Sequence, residues 1–386
     1  MITFLAVISA AIVLLVLVSR RSKAEVGVKG QPGLNKTAEM PVQPSMQQPL
    51  SSPTVSSAEP LASVLPDPRP VPEALQTLKL QTADVLDGAT LQSLMDRISN
   101  IPRPPRSFVK MVSGNALATA TSDELADLVM SEPLIAAKVI ARVNAPLYGL
   151  SKPVVNVGQA ITFLGMNNVR AICVQYLLEE SFKADIPQRQ AIFDDIWTSS
   201  ALASDLCFRL AQKLNLPNPG VLSTLTVLSY IGHIAAAYLL PANEIEVSKA
   251  DLVERVRVEQ ASLGIAAGEI SRLLMLAWAL PDELVQTVSG IDRMLFADAD
   301  QSLDSHRMDS AALCYLSARL GERLAHGDIA VPLGMEAVDA AGDDFFHLAP
   351  RLRSAAFIKL PEALQAKDLN LAVETMLEGV SGSAHS

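Results

Sequence analysis

The stretch from Asp123 to Val174 constrains the fold more than any other part of the sequence, because capping residues and prolines divide it into separate helices. Thr121 and Glu124 have the spacing of a capping box, so a helix should begin there. Pro133 has no backbone N–H, which is tolerated in the first turn of a helix, so it should begin a second helix. Asn156 should cap the start of a third. These boundaries predict short helices that pack together.

Apolar residues recur at three- and four-residue spacing in each of these helices, as expected for a buried face. They are Leu125, Leu128 and Val129 in the first, Leu134, Val139, Ile140 and Val143 in the second, and Met166, Val169, Ile172 and Cys173 in the third. Asn144 with Pro146 should end the second helix, and Gly165 should interrupt the third. The pattern predicts a helical array rather than a phosphate-binding loop or a βαβ unit.

The composition favours an all-α fold and argues against nucleic-acid binding. Of the 386 residues, 49% are hydrophobic and only 4% are aromatic, which favours helices over a β-sandwich. The formal net charge is −10. Because phosphate neutralisation needs clustered Lys and Arg, we expect no DNA or RNA partner. The three cysteines, Cys173, Cys207 and Cys314, lie in apolar runs without CxxC spacing, which predicts buried small hydrophobes.

The first 18 residues contain no charged side chain. As a helix at ~1.5 Å per residue they would span about 27 Å, close to the thickness of a bilayer core. Basic residues follow at Arg20, Arg21 and Lys23, whereas none precedes the apolar run as in a cleaved signal peptide. We therefore predict a single-pass anchor in the inner membrane at residues 1–19, with the N-terminus outside and the rest of the chain in the cytoplasm.

Residues 20–72 have the composition of a disordered linker. Ten prolines fall between Ser22 and Pro72, among many Ser, Gln and Val residues. Such a segment cannot bury enough apolar surface to offset the entropy of ordering it. Fifty residues would reach about 40 Å on average. The repeated PxxP spacing leaves docking to a partner open as an alternative to a spacer role.

Helical spacing continues through the rest of the chain. Val221–Leu240 is almost entirely apolar but contains Gly232 and His233, so a central buried helix is predicted rather than a second membrane span. Arg319, Glu322 and Arg323 are predicted on the outer face of their helix. The other predicted helices cover Glu73–Leu80, Leu91–Ile98, Gln190–Leu214, Val258–Ala279, a helix begun by Pro281, Met308–His326 and Pro361–Leu377.

The order of several short motifs resembles the HDOD domain, a helical relative of the HD and HD-GYP metal phosphohydrolases. The motifs are Ile101-Pro102-Arg103-Pro104, Glu132-Pro133-Leu134, Val143-Asn144-Ala145-Pro146-Leu147-Tyr148, Gln159-Ala160-Ile161, Leu164-Gly165, Trp197, Gly232 and Trp278-Ala279-Leu280-Pro281. The resemblance spans roughly residues 91 to 355. It implies a multi-helix bundle over 73–358, with Pro332–Ala341 and Asp343–Ile358 as closing helices. A C-terminal helix and tail then cover 359–386.

HD enzymes hold a divalent metal through a His, a central His-Asp doublet and a later Asp, and this metal activates water. The resemblance places Ser199-Ser200, Ser229-Tyr230 and Ile291-Asp292 at positions where relatives carry such ligands or paired histidines. Hydroxyl groups do not replace imidazole and carboxylate as ligands, and no His-Asp dipeptide occurs in the chain. We predict no catalytic residue, no cofactor-binding residue and no metal ligand, and therefore no enzymatic activity and no cofactor.

Other polar residues receive structural interpretations. His233 should lie near Tyr230 in a helix, as a hydrogen-bonded core histidine rather than a pocket residue. Asp194-Asp195 are interpreted as helix-surface charges, and Asp343-Asp344 as charges that complement a helix dipole. Asn144, Tyr148 and Gly149 are expected to shape a connection between two helices. The loop with Asp298 and Asp300 lacks the EF-hand's closing Glu.

The resemblance also implies a functional setting. HDOD proteins are linked to bacterial signal transduction, including motility, biofilm formation and cell-cycle control. We therefore predict a membrane-tethered, non-catalytic signalling or scaffold protein that binds a protein partner through its helical domain. One alternative is a nucleotide sensor that uses the degenerate HD pocket, and another is a phosphohydrolase with unorthodox metal ligands.

Overall fold

The computed structural model describes residues 70–113, 119–145, 148, 150–249, 251–296, 305–339 and 342–383, and within these ranges the chain forms helices and no β-strand. The all-α prediction is confirmed. The predicted anchor at residues 1–19, and all but the last three residues of the predicted linker at 20–72, lie outside the described residues. The described helices share one continuous hydrophobic core.

The first six longer helices are α1 (Gly88–Ser99), α2 (Arg106–Val112), α3 (Ser122–Met130), α4 (Pro133–Val143), α5 (Val157–Leu164) and α6 (Met166–Glu179). The boundaries predicted for α3 to α6 are confirmed, whereas α1 is longer than the predicted Leu91–Ile98 and α2 was not predicted as a helix. Both hydrogen bonds of the capping box at Thr121 are present, and the Asn156 side chain accepts from the backbone N–H of Gln159. Gly165 separates α5 from α6 with a φ of 84°, a left-handed value that glycine adopts without strain. Leu134 was predicted in the apolar face of α4 but is 57% exposed.

The second half contains α7 (Pro187–Lys213), α8 (Pro219–Leu239), α9 (Leu252–Leu263), α10 (Ala267–Ala277), α11 (Asp282–Asp292), α12 (Ser305–His326) and α13 (Lys367–Ser383). Helix α8 runs through the centre, and every residue from Leu222 to Ala237 is buried. Among the described residues it is the one helix long and apolar enough to cross a membrane, and its apolar window is 94% buried inside the protein. The prediction of a central buried helix is confirmed.

Two glycines allow neighbouring helices to approach closely. A Cβ at Gly232 of α8 would lie 2.1 Å from the carbonyl oxygen of Ala267, and a Cβ at Gly321 of α12 would lie 2.6 Å from the backbone nitrogen of Ala203. No side chain fits at such separations. The backbone of α8 therefore packs closely against the start of α10, and the backbone of α12 packs closely against that of α7.

Several predicted helices are divided or shortened. Val258–Ala279 was predicted as one helix, but Gly264, with a φ of 83°, ends α9 and a new helix begins at Ala267. Pro361–Leu377 likewise forms two helices, Leu360–Leu364 and α13. Glu73–Leu80 is helical only over Glu73–Gln76. Pro281 precedes α11 rather than lying within its first turn. The predicted closing helices are a short helix, Glu336–Asp339, and the 3-10 turns Asp343–Phe345, Arg351–Arg353 and Ala355–Phe357.

Helix α13 packs against the rest of the domain. Leu369 and Val373 are buried in the common core. Asn370 accepts a hydrogen bond from the backbone N–H of Leu333 at 2.6 Å and donates to the carbonyl oxygen of Leu364 at 2.7 Å. Asp368 pairs with Lys213 of α7 at 2.7 Å. The C-terminal helix is thus part of the same hydrophobic unit as the helices before it.

The three cysteines are buried free thiols, as predicted. Cys173 lies on α6, Cys207 on α7 and Cys314 on α12, and each is fully buried. Burial raises the pKa of the Cys173 thiol well above its usual range. A buried protonated thiol acts as a small apolar side chain.

Candidate functional site

Two of the residues that the resemblance places at HD ligand positions, Ser199 and Tyr230, lie together in the interior of the helical bundle. Ser199 of α7 and Tyr230 of α8 line the same cavity of about 10 Å³, which we call the inner cavity. Its other lining residues are Asp195, Ile196, His233, Ser248, Arg255, Glu322 and His326. Asp292, at the end of α11, lines a second small cavity of about 30 Å³, to which His233 also contributes. Each cavity has room for about one water molecule.

A buried ion-pair network fills most of this region. The Glu322 carboxylate accepts hydrogen bonds from Arg255 of α9, through its two terminal nitrogens at 2.5 and 3.2 Å, and from Arg319 on its own helix. Arg255 and Arg319 are each less than 5% exposed. Arg255 also donates to the carbonyl oxygen of Ser248 at 3.0 Å. We call Arg255, Arg319 and Glu322 the buried triad.

The charges of the triad determine the ionisation of its members. Burial alone would raise the pKa of Glu322, but the guanidinium groups of Arg255 and Arg319 hold that pKa well below its usual range. Burial opposes the charged form of Arg319, but Glu322 outweighs it and raises the pKa of Arg319. The triad is therefore fully ionised at neutral pH. Its two cations and one anion give the triad a net positive charge.

The sequence-based interpretation of Arg319, Glu322 and Arg323 as outer-face residues is wrong. Arg319 is 3% exposed, and Arg323 donates to the Asp344 carboxylate at 2.7 Å. Asp344 is itself buried, so it is a partner for Arg323 and not a helix-dipole charge as predicted. Charged residues at three- and four-residue spacing resemble a solvated helix face. Only the tertiary structure, in which Arg255 of α9 reaches Glu322 of α12, reveals that this face is internal.

His233 is a cavity residue without a strong hydrogen bond, which corrects the interpretation as a hydrogen-bonded core histidine. Its Nδ1 is buried and has no hydrogen-bond partner in the described part of the chain. Its Nε2 lies 3.9 Å from the Asp292 carboxylate, beyond hydrogen-bond distance. The ring packs edge-on against Tyr230, with centroids 5.9 Å apart. Burial, with the charges of Arg255 and Arg319, lowers the pKa of His233 well below its usual range, so the ring is neutral at pH 7.

Two more carboxyl groups lie on the same side of the bundle. Glu259 of α9 is 2% exposed and accepts a hydrogen bond from the backbone N–H of Ala267 at 2.8 Å. Burial raises the pKa of Glu259 to about 7, and burial also raises the pKa of Asp292 to about 6. Both groups thus titrate in a range where exposed carboxyl groups are already ionised.

Asp195 was predicted as a helix-surface charge together with Asp194, but it bonds across helices. Its carboxylate lies 2.7 Å from Nε2 of His326 at the end of α12. This hydrogen bond raises the pKa of His326. Both residues line the inner cavity. Asp194 is exposed, as predicted, and accepts from Gln190 at 2.8 Å.

The arrangement does not fit a metal centre of the HD type. Within the described ranges no group of three or more His, Cys, Asp or Glu side chains is placed to hold a metal ion. Both oxygens of Glu322 already accept hydrogen bonds from guanidinium groups. A divalent cation in the inner cavity would be repelled by Arg255 and Arg319 at low effective dielectric. The residues present therefore favour an internal ion network over a metal site.

Of the other polar residues considered, Asn144 has a clear structural role. Its side-chain amide donates to the carbonyl oxygen of Val154 and accepts from the backbone N–H of the same residue, both at 2.7 Å. This pair of hydrogen bonds joins the end of α4 to the segment before α5. Asn144 therefore shapes the connection between two helices, as predicted. Gly149, Asp298 and Asp300 lie outside the described residues.

The sequence and the fold were compared with known proteins. The HDOD domain family model matches residues 101–293, half of the chain. The structure is similar to an HDOD domain protein of unknown function from Geobacter sulfurreducens, with a TM-score of 0.54, 16% identity and coverage of 76% of this chain and 96% of that chain. A candidate phosphohydrolase from Shewanella amazonensis SB2B gives a TM-score of 0.52, 17% identity and coverage of 75% and 98%. No curated protein matches the sequence. At these identities the two structures support the fold alone.

Proposed function

The chain belongs to the HDOD domain family, and from this premise we propose that it is a membrane-tethered, non-catalytic bacterial signalling protein that binds a protein partner through its helical domain. The proposal has three parts: absence of catalysis, binding of a partner, and attachment to the inner membrane. Each part has its own support and its own test.

The buried triad is the observation that carries the non-catalytic part. It occupies the region where HD enzymes would hold a metal and a phosphoester, and the cavity beside it measures about 10 Å³. A metal-activated water needs an open coordination position and space for substrate. The inner cavity offers neither an open coordination position nor space for a substrate. The buried triad beside it consists of one carboxylate and two guanidinium groups. A structural role for this region is the simplest account of its chemistry.

The same volumes argue against a nucleotide sensor that uses the degenerate HD pocket. The inner cavity and the second cavity hold about 10 and 30 Å³, whereas pockets for small-molecule ligands are roughly 300–1,000 Å³. An unorthodox phosphohydrolase meets the same obstacle. Metal analysis of the purified full-length protein tests this part, since a stoichiometric divalent metal would contradict it.

Exposed apolar side chains on the N-terminal helices support the binding of a protein. Met130, Leu134 and Val155 are 58%, 57% and 69% exposed, and they belong to α3, α4 and the segment that leads into α5. Large apolar side chains at the surface are enriched where proteins associate. Attachment to the membrane rests on the uncharged residues 1–18 and the basic residues that follow. Confinement to a surface raises local concentration, so a modest affinity suffices.

Site-specific photo-crosslinking in cells tests the partner. A photoreactive phenylalanine analogue would replace Leu134 in the full-length protein, and in a matched control it would replace Val85, which is 64% exposed near the start of the domain. We expect one dominant protein adduct from position 134, identified by mass spectrometry, and none from position 85. The adduct should weaken when residues 1–72 are deleted. Equal adducts from both positions, or none from either, would contradict a partner at this surface.

A further inference from the structure

A larger cleft lies apart from the buried triad and the two small interior cavities. A cleft of about 460 Å³ is formed by α4, α5, α6 and α7, with Met376 of α13 at one side, and we call it the aromatic cleft. It shares no lining residue with the inner cavity. Its volume falls in the range of roughly 300–1,000 Å³ that is usual for small-molecule sites. The two interior cavities described above hold only about 10 and 30 Å³, too little for a ligand of this size.

Aromatic side chains are concentrated in this cleft. Although only 4% of the chain is aromatic, the lining includes five such residues, Tyr148, Phe163, Tyr176, Trp197 and Phe208. Tyr148 and Phe163 meet edge to face, with centroids 6.2 Å apart and planes at 86°. Phe163 remains 48% exposed, so its ring is available to a ligand without rearrangement of the core. Exposed aromatic faces of this kind stack on planar rings.

Two arginines of the lining supply positive charge. Arg209 is held by Asp205 four residues earlier, with Nε 2.5 Å from a carboxylate oxygen. Arg142, in the last turn of α4, has no carboxylate at ion-pair distance in the described part of the chain. Glu179, the other acid of the lining, is engaged by Gln175 at 3.1 Å and faces Lys138 at 3.8 Å. The charge of Arg142 opposes the effect of burial on Tyr148 and Tyr176, whose pKa values burial raises. Because Asp205 pairs with Arg209 and not with Arg142, Arg142 is the cation of the lining better placed to bind an anionic group.

Two amides of the cleft are fixed by their own hydrogen bonds. The Gln175 amide nitrogen donates to Glu179 and to the carbonyl oxygen of Trp197 at 3.2 Å, and the Asn168 amide nitrogen donates to the carbonyl oxygen of Leu164 at 2.9 Å. In both cases the amide oxygen accepts no hydrogen bond from the described residues. Oxygens of this kind accept from the exocyclic amine of a purine. The lining thus combines stacking surfaces, a cation and hydrogen-bond acceptors.

We propose that the aromatic cleft binds a purine nucleotide, with the base against Phe163 and Tyr148 and the phosphate at Arg142. The flat base would stack on the aromatic side chains, and the phosphate would accept charge-assisted hydrogen bonds from the guanidinium group of Arg142. The proposal requires no chemistry of the inner cavity and is independent of the protein-binding role. It also places nucleotide recognition at the surface of the domain, away from the degenerate HD pocket.

Isothermal titration calorimetry of the purified full-length protein tests the proposal, with adenosine and guanosine 5′-monophosphates as probes. Adenosine, guanosine and inorganic phosphate separate the contributions of base and phosphate. The variants are Arg142→Gln, which removes the charge, and Phe163→Ala, which removes the exposed ring. Arg106→Gln, at an exposed arginine in α2 outside the cleft, is the matched control.

We expect saturable binding of at least one nucleotide at one site per chain. Loss of a charge-assisted hydrogen bond in Arg142→Gln should weaken nucleotide binding about tenfold but nucleoside binding less than about twofold. Loss of stacking in Phe163→Ala should weaken both about fivefold or more. Arg106→Gln should bind like the wild type, and thermal unfolding of each variant confirms that it is folded.

Three results would overturn the proposal. The wild-type protein could bind neither nucleotide saturably. Arg142→Gln and Arg106→Gln could have the same effect, which would place the ligand elsewhere. Inorganic phosphate could bind as tightly as the nucleotides, which would reduce the cleft to a general anion site. None of these results bears on the protein partner, because that test uses a different surface.

Discussion

Glu322 connects two helices that are distant in the sequence, since it accepts hydrogen bonds from Arg255 of α9 and Arg319 of α12. Its side chain is 13% exposed, and those of the two arginines are 5% and 4% exposed. A buried ion pair is not always more stabilising than an apolar substitute, because desolvation opposes the attraction. Removal of one partner is different, since it leaves the remaining charge buried without compensation.

Glu322→Gln should therefore strongly destabilise the protein. The amide keeps the shape of the side chain, but two guanidinium groups then face each other without an anion. Breaking a buried pair in this way costs about 3–5 kcal/mol of unfolding free energy. Urea unfolding followed by circular dichroism measures the change. Glu283→Gln is the matched control, because the Glu283–Arg307 pair is 77% and 51% exposed and its loss should have little effect. Equal losses in the two variants would show that the triad does not stabilise the fold.

Glu259 gives a pH dependence whose sign follows from its pKa. The folded value is about 7 and the ordinary value is 4.5, because burial disfavours the carboxylate. The protonated group contributes stability that is complete below pH 4.5 and is lost as the pH rises through about 7. Glu259→Gln stays neutral and keeps an oxygen for the Ala267 N–H. At pH 8 the variant should be more stable than the wild type by on the order of 1–3 kcal/mol, and below pH 5 the two should converge.

Denaturant unfolding of both proteins from pH 5 to pH 8 measures this difference. Comparison with the wild type at each pH removes the contribution of Asp292, whose pKa of about 6 falls in the same window. Glu254→Gln, on the exposed side of the same helix, controls for the loss of a surface carboxylate. A difference that does not change with pH would mean that Glu259 is ionised in the folded protein throughout the range.

At the scale of elements, helix contact depends on glycines that leave no space for a side chain. Gly321 allows α12 to pack so close to α7 that a Cβ added at this position would lie 2.6 Å from the backbone nitrogen of Ala203. Gly321→Ala should gain a little helix propensity, but the helices must separate to admit the methyl group, at a net cost of about 1–3 kcal/mol. Gly88→Ala, at the start of α1 with no atom within 4 Å of the added Cβ, should be neutral or slightly stabilising.

Thermal unfolding of the two glycine variants provides the comparison. A melting temperature that falls for Gly321→Ala but not for Gly88→Ala would support close packing of α7 and α12. If both substitutions were neutral, the helices would tolerate a wider separation than the structure has. The result bears on the site as well, because α12 carries Arg319 and Glu322.

The boundaries of α3 to α6 and the central buried helix were predictable because they depend on local signals. The capping box at Thr121, the proline at 133 and the glycine at 165 act within a few residues of themselves. The site was predictable only in part. Ser199 and Tyr230, which the resemblance places at ligand positions, line one cavity, but Arg255, Arg319 and Glu322 look like surface charges in sequence. Their burial depends on contacts 67 residues apart along the chain, which periodicity does not encode.

At the scale of the whole molecule, the segment before α1 is joined to the rest of the domain by buried side chains and hydrogen bonds. Leu75 and Ala83 are buried. The backbone N–H of Ala83 donates to the buried carboxylate of Glu269 at 3.0 Å, and that of Gln81 donates to the Gln260 side chain at 2.8 Å. The segment before α1 is thus held by α9 and α10.

Deletion of residues 1–72 should therefore leave the unfolding free energy of the helical domain unchanged, whereas deletion of residues 1–87 should lower it by at least about 2 kcal/mol. The larger deletion removes the buried side chain of Leu75, whose burial contributes about 1.5–3 kcal/mol to the unfolding free energy. It also removes the Ala83 N–H that donates a hydrogen bond to Glu269. Chemical unfolding of both truncated proteins in the same detergent, beside the full-length chain, gives the comparison. If the shorter deletion already destabilised the domain, then the core would extend into the N-terminal 72 residues, and the division between tether and domain on which the proposed function depends would have to move.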